Sequence, residues 1–132
     1  MKKIIFLVLF FSISSNAQMS LKDYAEMHFD LDFDKIDESS MRHIVKKCHA
    51  VGRIAAEIGI SGGNNVRLKY EEIMLNVYEA RHPTRSIIEH FELISKETEP
   101  LYIEYINYYN RNKKLPDLII SDYSFCSSII EV

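Results

Sequence analysis

The chain has no tryptophan, two cysteines, three prolines and four glycines, and three of those glycines fall between Gly59 and Gly63. So few turn-formers argue against an all-β fold, which needs Gly or Pro signals every 8–12 residues or so. Two lone cysteines exclude a C-x-x-C zinc pair and a haem-attachment C-x-x-C-H. The longest unbroken apolar run is eight residues, Ile4–Phe11. A bilayer span needs roughly twenty, so that run cannot anchor the chain as a transmembrane helix. Cations are also in the minority, with 16 Lys and Arg against 19 Asp and Glu. Without a basic stripe, nucleic acid and anionic membrane are poor partners.

The first seventeen residues read as an export signal. Met1-Lys2-Lys3 is a short basic start, Ile4–Phe11 an apolar core, and Ser15-Asn16-Ala17 places small residues at −3 and −1 before Gln18. This is the pattern of a secretory signal peptide. The expected mature chain, 18–132, is a single domain working in the periplasm or outside the cell, with no membrane attachment after cleavage. Lys2 and Lys3 leave with the peptide, taking the formal charge from −3 to −5. In an oxidising compartment two cysteines in a small domain point to one disulfide, Cys48–Cys126. The alternative is a catalytic thiol at Cys48. Its neighbour His49 makes no dyad by adjacency, because consecutive helical residues point about 100° apart.

What the sequence has in abundance is helical periodicity. The expected fold is all-α: a single small bundle of five to six helices. Ser20 caps a short first helix with Leu21, Tyr24, Ala25 and His28 on one face. A second runs from about Ser39 to Ile58, with Asp37 or Ser39 as cap and a buried stripe of Met41, Ile44, Cys48, Val51, Ala55 and Ile58. Gly52 and Ala56 are small enough to let another helix approach. After Gly59–Asn65, a third helix carries the seam Val66, Tyr70, Ile73, Val77, Ala80 and stops before Pro83. Ser86 and Glu89 form a capping box for a fourth, whose apolar side is Ile87, Ile88, Phe91 and Ile94. Pro100 predicts a break, with Thr98 capping a tyrosine-rich fifth helix to about Asn112. A last helix from Asp117 to Val132 repeats Ile119, Tyr123, Cys126, Ile130, although "FCSSIIEV" is also β-prone. Both cysteines fall on apolar stripes.

Two stretches are candidates for partner binding. "LYIEYINYY" places Tyr102, Tyr105, Tyr108 and Tyr109 on adjacent helical faces. A phenol suits the margin of a core, and it equally suits an interface, where it offers rigid contact area. Asp30, Asp32 and Asp34 open like a calcium loop, but the positions that need glycine and glutamate hold Lys35 and Met41. They read better as a solvated linker or an acidic patch for a cationic partner. The five histidines (28, 43, 49, 82, 90) include no i,i+4 pair, and Glu71-Glu72 and Glu89/Glu92 sit on solvent faces. No metal, cofactor or catalytic set is expected.

The chain resembles the small periplasmic immunity proteins that neutralise cell-wall amidases delivered by type VI secretion. "SLKDYA", Ser20–Ala25, is similar to the opening of some of those mature chains, and size, export, all-α character and an early and a late cysteine agree. Cys48 comes one helix later than the early cysteine of that pattern. The resemblance implies a homodimer or small oligomer that binds an enzyme and occludes its cleft without chemistry of its own. The expected function is therefore an exported non-enzymatic binding protein, an inhibitor of a secreted cell-wall hydrolase. A structural or assembly subunit of an envelope complex is the alternative, and a small exported enzyme using Cys48 the second.

Overall fold

A computed structural model describes residues 19–130; residues 1–18, on which the expected export signal falls, and the last two positions lie outside the described residues. Five α-helices follow one another: α1 (Leu21–Phe29), α2 (Glu38–Glu57), α3 (Gly63–Arg81), α4 (Ile87–Arg111) and α5 (Asp117–Ile130). A 3₁₀ turn, Phe33–Lys35, lies between α1 and α2, and no strand occurs among the described residues. The bundle is stapled by the disulfide Cys48–Cys126, which joins α2 to α5 across 78 positions.

The helix starts follow local chemistry. Ser20 accepts from the Asp23 amide, Asp37 from Ser40 and Ser86 from Glu89, and the Glu89 side chain returns the bond to complete a capping box. Each satisfies an amide that has no partner within its helix. Of the two expected caps for α2, Asp37 is the one used, and α3 starts at Gly63, three residues before the expected Val66.

One break does not occur. The helix expected to end before Pro100 continues through it as a single element of 25 residues. Pro100 is exposed, as is Lys96, whose carbonyl loses its amide donor and can turn to water. Thr98 is no cap, for its hydroxyl donates back to the Ile94 carbonyl at 2.8 Å. His90, Ile94, Thr98, Tyr102 and Tyr105 are buried on both sides of the proline, and that continuous packed column outweighs the local cost.

The buried faces also turn slightly from expectation. In α3 the inward column is Val66, Tyr70, Met74 and Tyr78, a strict i,i+4 ridge, while Ile73, Val77 and Ala80 are exposed. In α2 Ile44, Cys48, Val51 and Ala55 are buried but Met41 is not, and in α4 Ile87, Ile88 and Phe91 face out. In α1 Leu21, Ala25 and Phe29 are buried and His28 is exposed. A small difference in helix phase separates the two ridges, and only the neighbouring helix selects one.

α2 and α3 approach most closely through glycine. A β-carbon on Gly63 would stand 2.4 Å from the Ala56 amide nitrogen, and one on Gly52 2.7 Å from that of Arg67. Only hydrogen fits at either place. α5 lies across α1, α2 and α3 and holds the core at Ile119 and Cys126, both fully buried.

Candidate partner-binding surface

The tyrosine cluster is divided by the fold. Tyr102 and Tyr105 are only 7% and 3% exposed. The Tyr105 hydroxyl donates to Asp122 Oδ2 at 2.6 Å, and the Tyr102 hydroxyl donates to Glu57. Arg53 lies over the Tyr102 ring at 3.5 Å and pairs with Glu99 at 2.8 Å. Burial, then the neighbouring carboxylate, pushes both phenols above their usual range, so they remain neutral donors. Tyr108 is half-buried, and its oxygen accepts from the Leu118 amide at 3.1 Å; Tyr109 is half-buried against the core. The four therefore form no shared phenolic face, and from this group only parts of Tyr108 and Tyr109 reach solvent.

Asp30, Asp32 and Asp34 follow α1 and do not converge. Asp30 ends α1 in the left-handed conformation, Asp32 caps the 3₁₀ turn by accepting from Asp34 N at 3.1 Å, and Asp32 pairs with Lys35 at 3.8 Å. Among the described residues no three of His, Cys, Asp and Glu are placed to hold a metal ion. The Cys48 sulfur is bonded to Cys126, so the oxidised protein offers no Cys48 thiolate. Beside it His49 is buried and neither ring nitrogen has a protein partner. Desolvation, then Arg67 and Arg53, lowers its pKa to about 4, and His43 is lowered to about 4 by desolvation and the nearby Lys47. Both are neutral at pH 7.

The exposed apolar residues of α2 and α3 define a different site. At the glycine end the two helices touch through backbone, and toward Met41 and Val77 the residues along them are large. The result is a groove of about 110 Å³ floored by Val45 and Met74 and edged by Met41, Ile73 and Val77. These three edge residues are 44%, 38% and 39% exposed. Its rim is charged. Glu38 accepts from Arg42 at 2.9 Å and also from Arg81. At the other side Glu97, on α4, accepts from the Tyr78 hydroxyl and pairs with Lys46 at 3.2 Å. The groove can receive a solid apolar ridge.

Sequence periodicity places Met41, Ile73 and Val77 in the core, which is why the groove is missed. The usable signal is that α3 carries two apolar ridges, Val66-Tyr70-Met74-Tyr78 and Ile73-Val77, and one helix cannot bury both in a single layer. Asp122 is missed too, although an aspartate three residues after Ile119 and four before Cys126 stands on the buried stripe. No family model, curated protein or solved structure matches the chain.

Proposed function

We propose that this is an exported, non-enzymatic protein-binding factor of the periplasm, an inhibitor of immunity type that blocks a secreted cell-wall hydrolase. The observation that carries the reading is the solvent-facing apolar groove of Met41, Ile73 and Val77 with its charged rim. Apolar side chains gathered at one place and rimmed by charge are characteristic of a protein interface. The disulfide agrees with an oxidising compartment. The signal-like first seventeen residues and the likeness of Ser20–Ala25 to amidase-immunity proteins supply export and the class of target.

The test is digestion of purified peptidoglycan by hydrolases of the secreted and envelope fractions, with increasing amounts of the purified protein. Hydrolysis should fall and level off at a fixed molar ratio, with the hydrolase co-eluting with the protein. Digestion unchanged at every ratio, at low and moderate salt, overturns the reading.

A further inference from the structure

The α2–α3 groove has a chemistry that specifies its occupant more closely. The chain as a whole is acidic, with formal charge −3, yet the free charge at this groove is positive. Glu38 takes one bond from Arg42 and one from Arg81 through the same oxygen, Oε1. Two guanidiniums hold ten N–H donors between them, so most remain available. Glu97 is matched by Lys46 and the Tyr78 hydroxyl. Lys46 and Glu97 balance each other, whereas Arg42 and Arg81, whose side chains are 51% and 38% exposed, share the single carboxylate of Glu38, which leaves one positive charge in excess.

The shape is as specific as the charge. Ile73 and Val77 stand one turn apart on α3 and form one wall as an i,i+4 ridge, Met41 on α2 forms the other, and the buried Val45, one turn from Met41, lies on the floor between them. A groove between such walls accepts a third helix, ridge into groove. We propose that this groove takes one amphipathic helix of a protein partner, its apolar ridge seated between Met41 and Val77 and a carboxylate beside that ridge meeting Arg42 and Arg81. This rests on the reading of the protein as a protein-binding factor and names the face and the recognition chemistry.

The test uses the intact oxidised protein, isotopically labelled, and a designed amphipathic helical peptide with leucines on one face flanked by glutamates. A second peptide carries lysines in place of the glutamates. Amide shifts should map to Met41, Ile73 and Val77 with the glutamate peptide and be far weaker with the lysine peptide. Val77→Glu and Arg81→Gln should each weaken binding about tenfold or more. Ile103→Glu, on an exposed part of α4, should not, with circular dichroism confirming that all three fold. Equal response to both peptides, shifts confined to other faces, or full affinity in Val77→Glu overturns the proposal. Hydrolase inhibition that survives Val77→Glu and Arg81→Gln defeats the groove alone. Groove binding without inhibition of any hydrolase defeats the functional reading alone.

Discussion

Ionising a carboxylate out of contact with water is unfavourable unless donors surround it, and Asp122 has two. Its Oδ1 accepts from the first amide of α1, Leu21 N, at 2.8 Å, and its Oδ2 from the Tyr105 hydroxyl at 2.6 Å. One fully buried side chain on α5 therefore connects α1 to α4. Asp122→Ala leaves both donors unpaired and should cost about 2–4 kcal/mol, read from urea denaturation. Asp122→Asn keeps an acceptor for Leu21 and should cost roughly 1 kcal/mol or less. Burial raises the Asp122 pKa above 3.8 despite these bonds. The folded state then holds this proton more tightly than the unfolded chain, so its contribution falls as pH rises from 3.8 through the folded value. The Asn variant should lack that slope. His43 and His49 act in the opposite direction along the pH axis. Their folded pKa values of about 4 lie below 6.5, so the unfolded state gains protons first and stability is lost as pH falls from 6.5 to 4. His49→Leu should flatten that acid limb, checked by denaturant midpoints across this range.

At the scale of the element, α4 is the informative case. A proline in a helix interior costs about 3 kcal/mol relative to alanine in isolation, and the column His90-Ile94-Thr98-Tyr102-Tyr105 holds the helix through it. Pro100→Ala should therefore stabilise the protein, by about 1–3 kcal/mol in thermal or urea unfolding. If two helices met at Pro100 instead, the substitution would be neutral or destabilising. Helix starts at Ser20 and Ser86 are legible in sequence because a cap bonds within four residues of itself. Whether Pro100 ends a helix is not legible, because the answer depends on contacts with α2 and α3, distant in the chain.

For the molecule as a whole, the bond between Cys48 and Cys126 binds α5 to the centre of the bundle, and the Tyr70 hydroxyl donates to the Cys126 carbonyl at 2.6 Å beside it. Closing a loop of this length restricts the unfolded chain by about 4–5 kcal/mol in the chain-entropy model. The double variant Cys48→Ala/Cys126→Ala should lose about 2–5 kcal/mol. Native protein should react with a thiol reagent only after reduction, and ready labelling of Cys48 beforehand would contradict the staple. The sequence alone determined that the chain is helical, where most helices begin, and that both cysteines stand on inward stripes, because 3.6-residue periodicity and capping act over a few neighbouring residues. Only the tertiary structure decided which of two adjacent ridges each helix buries, that α4 passes through Pro100, that Asp122 joins three helices, and that Met41, Ile73 and Val77 are left facing water. Those outcomes depend on the phase of one helix against another, and that phase is set by packing between residues distant in sequence.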